Sequence, residues 1–156
     1  MIEITIPGFG QVTLQHLVSD FTGTLSRDGK LSPGVKERLQ QLATLVNIHI
    51  LTADTFGKAA TEVKDIPCQL HILHGLDEDI QKENYVRSLG SEQVVAFGNG
   101  NNDRRMLRAA RLGIAILGDE GCATAAIQAA DIVCISILNG LDLLLNPLRC
   151  KATLRF

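Results

Sequence analysis

The sequence predicts an α/β fold with a central parallel sheet, and three observations support that fold class. Short apolar segments alternate with segments whose apolar residues recur at helical spacing, which is typical of a parallel sheet covered by helices. No Pro/Ser-rich linker, low-complexity tract or repeat of fixed period interrupts this series, so residues 1–156 are expected to form a single domain. A length of 156 residues with 46% hydrophobic residues is also suited to one folded core.

Charge and hydropathy exclude several classes of partner. The formal net charge is -2 and no dense run of Lys or Arg occurs, so we expect no nucleic-acid partner. No stretch approaches the roughly 18 uncharged apolar residues of a membrane span, so no membrane association is expected. Asp20 also interrupts the N-terminal apolar region before a signal-peptide pattern develops, and this favours a cytoplasmic location.

Cysteine and histidine spacing gives little support for a structural metal. The chain has four cysteines and no CxxC pair, so we interpret them as buried thiols in a reducing compartment; they are Cys68, Cys122, Cys134 and Cys150. His71 and His74 form an HxxH with no Glu or Cys in metal-motif register, and a zinc site there is the minor alternative.

The N-terminal region reads as a β-hairpin whose second arm continues into the first strand of the sheet. Segments 2–6 and 11–18 are apolar or alternating, and a Gly-rich turn joins them. The second arm then runs into residues 17–20, where the apolar strand ends in a carboxylate and gives way to loop-forming residues. Asp20 is therefore predicted to lie at a strand tip.

The rest of the chain alternates between helices and strands. Ser32 and Pro33 form a helix-start signal, with Ser32 as the N-cap and Pro33 in the first turn. Further helices are predicted near 55–64, 78–89, 103–110, 121–129 and 141–145, and strands near 47–51, 69–73, 93–97, 112–117 and 131–135.

Polar residues collect where these predicted strands end. Ligands of open parallel sheets bind beyond the carboxyl ends of the strands, so we expect these residues to share one site. A carboxylate can attack phosphorus, a hydroxyl and an ammonium can hold phosphate oxygens, and oxygen ligands on two loops can hold Mg²⁺. The residues are Asp20, Thr22, Thr24, Thr52, Asn99 and Asp103, with Lys82 on the helix that precedes the strand near 93–97.

This ordered set resembles the four motifs of the haloacid dehalogenase-like superfamily. Residues 20–24 read DFTGT, similar to the superfamily's DxDGT and to the DKTGT of P-type ATPases. Thr52 in ILTA resembles the second motif and Lys82 the third, while residues 98–103, GNGNND, resemble the GDGxND of the pumps. Residues 112–133 are also similar to the segment that follows GDGxND in P-type ATPase phosphorylation domains.

The resemblance implies a three-layer α/β/α fold with the Asp20 strand between the strands that begin near 47 and 93. It also implies roles for individual residues. Asp20 would be the nucleophile, and Thr22 would occupy the position two residues later. The phosphate would be held by Thr52, Lys82, Gly23 and Ala53. Mg²⁺ would be bound by the Asp20 carboxylate, the Thr22 carbonyl, Asn99 and Asp103.

Departures from the superfamily pattern limit the expected activity. The stretch between Asp20 and Thr52 leaves no room for a nucleotide-binding domain or a large cap, so the chain resembles small soluble relatives of the pumps. Thr22 stands where typical phosphatases have a carboxylate acting as general acid and base, so turnover should be slow. Asn99 is neutral where the motif has Asp, so Mg²⁺ binding should be weaker.

Three functional hypotheses follow. The first is a magnesium-dependent phosphatase that acts on a small phosphorylated substrate through an aspartyl phosphate. The alternative is a catalytically weakened binding or interaction protein that keeps the phosphate or metal site. A response-regulator receiver is less favoured because its phosphorylated Asp lies on a later strand and follows an acidic pair that this chain lacks. Without a large cap, an open site or a partner subunit must supply selectivity, so the hypothesis includes a homo-oligomer.

Overall fold

The computed structural model of the protein describes residues 1–54 and 57–156. Its strands are β1 (Ile2–Ile6), β2 (Gly10–Leu14), β3 (His16–Asp20), β4 (Ser26–Arg27), β5 (Lys30–Leu31), β6 (Asn47–Thr52), β7 (Gln69–Ile72), β8 (Val94–Gly98), β9 (Leu112–Ile116) and β10 (Ile132–Cys134). Its α-helices are α1 (Val35–Leu42), α2 (Ala59–Glu62), α3 (Glu78–Ser88), α4 (Arg104–Ala109), α5 (Thr124–Ala129), α6 (Ile137–Leu145) and α7 (Pro147–Leu154). Short 3₁₀ turns precede β8 and α4.

The centre of the fold is a six-stranded parallel sheet in the order β10-β9-β8-β3-β6-β7. The predicted fold class and the predicted place of β3, between β6 and β8, are both confirmed. Helices cover both faces, with α1 packed beside α6 and α3 packed beside α4. Each face has its own cluster of buried apolar side chains.

The sequence of β3 explains why it occupies the centre. Leu17 and Val18 are fully buried, and they belong to the apolar clusters on opposite faces of the sheet. Successive side chains of a strand point to opposite faces, so a continuous apolar run is suited to a strand that helices cover on both sides. Asp20 follows directly and brings a carboxylate to the strand's carboxyl end.

The N-terminal hairpin forms its own sheet, which corrects one detail of the prediction. β1 and β2 pair antiparallel from Ile2 with Leu14 to Ile6 with Gly10. The second arm does not run unbroken into β3, because Gln15 turns the chain from one sheet to the other. The Gln15 N–H donates to the Gln93 carbonyl, and its own carbonyl accepts from the Asn47 N–H. Gln15 thus begins the parallel sheet.

A second hairpin follows Asp20, in a segment for which the sequence indicated only a loop. β4 and β5 pair antiparallel, with Ser26 opposite Leu31 and Arg27 opposite Lys30. Asp28 and Gly29, at the turn, both have positive φ angles, of 51° and 78°. A two-residue turn with positive φ at both positions matches the right-handed twist of a hairpin.

Several helix boundaries differ from the prediction. α1 begins at Val35, after Gly34 in the left-handed conformation, so Ser32 and Pro33 lie in the preceding turn rather than forming the cap. The predicted helix near 55–64 corresponds to the shorter α2, and Thr55 and Phe56 lie outside the described residues. α6 begins earlier than predicted, because Ser136 caps it by accepting from the Asn139 N–H, and α7 was not predicted.

The expectation of buried thiols holds for half of the cysteines. Cys134 and Cys150 are buried, whereas Cys68 and Cys122 are only half-buried. All four are free thiols. Within residues 1–54 and 57–156, no helix has both the length and the apolarity needed to cross a bilayer.

A row of hydrogen-bonded side chains, three histidines and one tyrosine, lies on the face of the sheet that α3 covers. His16 Nδ1 is 3.0 Å from His49 Nε2, and His49 Nδ1 is 2.9 Å from the Tyr85 hydroxyl. The same hydroxyl is 2.6 Å from His71 Nε2. Of the two histidines of the HxxH, His71 therefore belongs to this hydrogen-bonded row, whereas His74 is exposed. Burial, with the neighbouring His16 and His71 rings, lowers the pKa of His49 to about 4.

The lowered pKa of His49 predicts an acid-sensitive fold. Between about pH 6.5 and 4 the unfolded chain binds a proton at His49 that the folded chain does not, so the free energy of unfolding decreases as the pH falls. We expect urea titrations to show that wild type loses about 1 to 2 kcal/mol more than His49→Gln between pH 7 and pH 5. His74→Gln is the matched control and should keep the wild-type pH dependence. Equal losses in wild type and His49→Gln would contradict this assignment.

Candidate active site

Three buried charges meet at the carboxyl end of the central strand. The Lys82 ammonium donates to Asp20 Oδ1 at 2.8 Å and to Asp103 Oδ1 at 2.7 Å. Lys82 and Asp103 are 0% exposed and Asp20 is 6% exposed. Lysine and aspartate are rarely buried unless they are paired, so each of these groups depends on the others for its place in the interior.

The arrangement shifts the ionisation of Asp20 and Lys82. Burial and the Asp103 carboxylate raise the pKa of Asp20 to about 7, although the Lys82 ammonium opposes both effects. Burial alone would lower the pKa of Lys82, but the Asp20 and Asp103 carboxylates together raise it. Lys82 is therefore protonated, and an additional cation beside Asp20 would favour the ionised carboxylate.

Asp103 is held by the backbone of the turn that carries it. Its Oδ2 accepts from the N–H groups of Asn99 and Gly100, both at 2.9 Å. A Cβ at Gly98 would lie 2.5 Å from the Asp103 Cβ, so glycine is needed there for the side chain to fold back over the strand end. Both Asp103 oxygens thus have hydrogen-bond partners inside the protein, and the Lys82 ammonium connects this carboxylate to Asp20.

Thr24 connects Asp20 to Asn99. The Thr24 hydroxyl is 3.3 Å from Asp20 Oδ2 and 3.1 Å from Asn99 Oδ1. Because a hydroxyl has a single proton, it can donate to only one of these two acceptors at a time. Two oxygens of the kind that bind Mg²⁺ therefore converge with one proton between them, so this donor set fits a hard divalent cation.

Gly23 brings the loop after β3 close to Asn99. A Cβ at Gly23 would lie 2.5 Å from Asn99 Nδ2, and the Gly23 φ of 78° also favours glycine. The same Asn99 Nδ2 donates to the Gly121 carbonyl at 3.1 Å, which connects the site to the loop after β9. Gly23 therefore has a steric role, which is separate from the phosphate contact that the family resemblance implies for it.

The residues of the second predicted motif lie at the neighbouring strand end. Leu51 pairs with Asp20 across the sheet, and Thr52 follows it with its side chain 1% exposed. The Thr52 hydroxyl accepts from the Asp54 N–H at 2.9 Å, while Ala53 is exposed. Within the described part of the chain, Thr52 makes no hydrogen bond to Asp20, Lys82 or Asp103.

Thr22 lies between the strand end and the 26–31 hairpin. It is half-buried and forms an isolated bridge with Ser26, so its position depends on β4. The structure thus brings Asp20, Lys82, Asp103 and Asn99 into one hydrogen-bonded group, with Thr52 and Ala53 at the neighbouring strand end. Thr24 was predicted to share this site, but its two contacts with Asp20 and Asn99 were not, because a threonine in a Gly-containing turn carries no signal of which side chains it will contact.

Sequence comparison relates the chain to a family of hydrolases and to archaeal proteins. Residues 76–136 match the family described as haloacid dehalogenase-like hydrolase. The uncharacterized protein MJ0073 of Methanocaldococcus jannaschii is 46% identical over 78 residues, which make up 50% of this chain and 78% of that protein.

Solved structures share the fold over most of the chain. The cobalt-bound deoxy-D-mannose-octulosonate 8-phosphate phosphatase of Haemophilus influenzae has a TM-score of 0.71 at 15% identity, over 86% of this chain and 88% of that one. The corresponding Moraxella catarrhalis phosphatase, with magnesium, phosphate and KDO, has a TM-score of 0.69 at 17% identity, over 85% and 86%. A zinc-transporting PIB-type ATPase gives 0.62 at 24% identity, over 78% of this chain and 20% of the pump.

Removing the central ammonium should destabilise the fold strongly. Lys82→Met leaves two buried carboxylates without their shared cation, and breaking a buried ion pair costs about 3 to 5 kcal/mol. Asp20→Asn added to Lys82→Met should recover part of that loss, since it removes one of the two uncompensated charges. Lys36→Met, which breaks the exposed pair with Asp65, is the control and should change the free energy of unfolding little. Chemical denaturation measures the free energy of unfolding of all three variants. A double variant no more stable than Lys82→Met would contradict the buried charge pairing of Lys82 with Asp20.

Proposed function

The chain belongs to the haloacid dehalogenase-like superfamily, and on that premise we propose that it is a phosphohydrolase acting through an aspartyl phosphate on Asp20. The observation that carries the proposal is the buried Asp20–Lys82–Asp103 group at the carboxyl end of the central strand. Strongly shifted pKa values cluster at functional sites, and that of Asp20 is raised to about 7. The substrate would be a small phosphorylated compound.

In the first step, an Asp20 carboxylate oxygen attacks the phosphorus of a phosphate monoester. A bond forms between that oxygen and phosphorus, and the bond from phosphorus to the leaving oxygen breaks. The Lys82 ammonium, 2.8 Å from Asp20 Oδ1, supplies fixed positive charge beside the transferring group. Thr52 and the exposed Ala53 backbone, at the neighbouring strand end, would bind the equatorial oxygens.

In the second step, water attacks the phosphorus of the aspartyl phosphate. The bond between phosphorus and the Asp20 oxygen breaks, inorganic phosphate leaves, and the carboxylate is regenerated. Over the two steps the leaving oxygen gains one proton and the attacking water loses one. Thr22 has no carboxylate to carry these protons, so they exchange with solvent and both steps should be slow.

We propose Mg²⁺ as the cofactor. Asp20, the Thr22 carbonyl and Asn99 would hold the ion, and when bound it neutralises phosphate charge and orients the substrate. Support comes from the convergence of Asp20 Oδ2 and Asn99 Oδ1 on the single Thr24 proton. The phosphatase of Moraxella catarrhalis, which shares the fold, contains magnesium and phosphate.

Because both Asp103 oxygens are bonded within the protein, we propose that Asp103 positions Lys82 and the turn rather than serving as the metal ligand inferred from the motif.

A second candidate function is a phosphate- or metal-binding interaction protein of the same fold. The observations that favour it are the two replaced carboxylates, with Thr22 in the general acid position and Asn99 at the metal site. Such a protein would bind phosphate and Mg²⁺ at this site without turnover, so hydrolysis discriminates between the two candidates.

Hydrolysis should be detectable with an activated substrate. p-Nitrophenolate needs little protonation as it leaves, so the missing general acid matters least for p-nitrophenyl phosphate. We expect release of p-nitrophenol that requires Mg²⁺, stops on addition of EDTA and disappears in Asp20→Asn. Equal rates with and without EDTA, or in Asp20→Asn and wild type, would favour the binding-protein candidate.

Restoring the missing carboxylate should raise the rate. Thr22→Asp places a carboxyl two residues after the nucleophile, where it can protonate the leaving oxygen and then activate water, a contribution of about 10²- to 10⁴-fold when well positioned. We expect a gain near the lower end, and a larger gain for an alkyl phosphate than for p-nitrophenyl phosphate. Steady-state kinetics on both substrates measure it, with Thr22→Asn as the isosteric neutral control. A folded Thr22→Asp no faster than Thr22→Asn on either substrate would show that Thr22 is not at the acid position.

A further inference from the structure

A cavity of about 640 Å³ lies beside the turn that follows Asp20. Its volume falls within the roughly 300–1,000 Å³ of small-molecule sites. Three segments form its walls: the Gly23–Thr24 turn with the 26–31 hairpin, the loop after β9, and the chain from β10 into α6. Neither of the predicted phosphate-binding side chains, Thr52 or Lys82, is among its lining residues.

Two residues belong both to the cavity wall and to the candidate active site. Thr24 lines the cavity, and its hydroxyl contacts Asp20 and Asn99. Gly23 lines it as well, and its Cα is so close to the Asn99 amide that a Cβ would overlap it. Across from them, a Cβ at Gly118 would lie 3.4 Å from the Gly23 carbonyl, so the loop after β9 closes against the same turn. The cavity and the candidate active site therefore share the Gly23–Thr24 turn.

The lining of the cavity combines aliphatic side chains with more negative than positive groups. Its aliphatic residues are Leu31, Ile116, Ile135, Ile137 and Leu138. Among its charged residues, Arg27 is paired with Asp119 at 3.3 Å, and the Asp28 N–H donates to Glu120 Oε2 at 3.4 Å. Lys30 is the other cation of the lining, against the carboxylates of Asp28, Asp119 and Glu120. An anionic group would meet this excess of carboxylates, whereas an uncharged apolar group would pack against the aliphatic side chains.

We infer that this cavity binds the leaving group of the substrate and selects phosphate monoesters of uncharged, largely apolar alcohols. The inference rests on the proposed function, since it places the phosphate of the same molecule at Asp20. The 26–31 hairpin, joined to the loop after β9 by Arg27 and Asp28, forms the wall that a cap would supply in a larger protein. Selectivity then comes from within the chain itself.

Binding of non-hydrolysable phosphonates tests the inference without turnover. Amide shifts of the ¹⁵N-labelled full chain are followed with Mg²⁺ during titration with inorganic phosphate, benzylphosphonate or 3-phosphonopropionate. Inorganic phosphate should shift amides around Asp20 and Thr52 only. Benzylphosphonate should shift the same amides together with those of Gly118 and Ile135, and should bind about tenfold more tightly because its ring is buried. 3-Phosphonopropionate should lack this gain in affinity, because its carboxylate would meet the carboxylates that line the cavity.

Val133 in β10 and Ile135, which directly follows that strand, provide a matched pair of variants. Ile135 lines the cavity and is 74% exposed, while Val133 is 43% exposed and lies outside it. Ile135→Ser should weaken benzylphosphonate binding several-fold and leave inorganic phosphate binding unchanged, and Val133→Ser should change neither. Benzylphosphonate shifts confined to the inorganic phosphate set, confined to the cavity without Asp20, or absent altogether would overturn the inference, as would equal effects of the two variants. Benzylphosphonate shifts that span Asp20 and the cavity in a protein that hydrolyses no ester would support the inference and contradict the proposed function.

Discussion

The Lys82 ammonium, held between the Asp20 and Asp103 carboxylates, is the interaction on which the rest of the site depends. All three groups are buried, so the free energy of removing them from water is offset only by their mutual attraction and hydrogen bonds. That requirement fixes the end of β3, one turn of α3 and the turn after β8 relative to one another. The geometry of the candidate site is thus set by charge pairing between three elements that are distant in sequence.

The surrounding backbone is shaped to accommodate this group. Gly98 leaves space for the Asp103 side chain, and the N–H groups of Asn99 and Gly100 bind the oxygen that Lys82 does not. Gly23 allows close approach to Asn99, and Thr24 joins Asn99 to Asp20. The glycines of the first and fourth motifs therefore have steric reasons that can be stated residue by residue. The proposed phosphoryl transfer rests on this arrangement, in which a buried carboxyl group with a raised pKa lies beside a fixed ammonium and a pair of convergent oxygens.

The sheet was predictable because its central strands are buried on both faces and therefore read as continuous apolar runs, as at Leu17 and Val18. The residues expected at the site were predicted from two observations: the carboxyl ends of parallel strands lie at one edge of the sheet, and the four motifs occur in order. The 26–31 hairpin was not predicted although Asp28-Gly29 is a typical two-residue hairpin turn, because its strands are only two residues long and show no apolar alternation. The double contact of Thr24 and the internal bonding of Asp103 depend on tertiary packing, which local sequence does not specify. Between β10 and the C-terminus the sequence predicted only the helix near 141–145, and neither the cap at Ser136 nor the Pro-led α7 was predicted.

The proposed chemistry requires a covalent bond between phosphorus and Asp20, and mass spectrometry of the intact protein detects it most directly. After exposure to acetyl phosphate and Mg²⁺ with rapid acid quenching, we expect wild type to gain the mass of one phosphoryl group and Asp20→Asn to gain none. Because Thr22 activates water poorly, the adduct should accumulate in wild type and decrease in Thr22→Asp. An unmodified wild-type protein under conditions where Mg²⁺ and phosphate are bound, or an adduct that persists in Asp20→Asn, would contradict the assignment of Asp20 as the nucleophile.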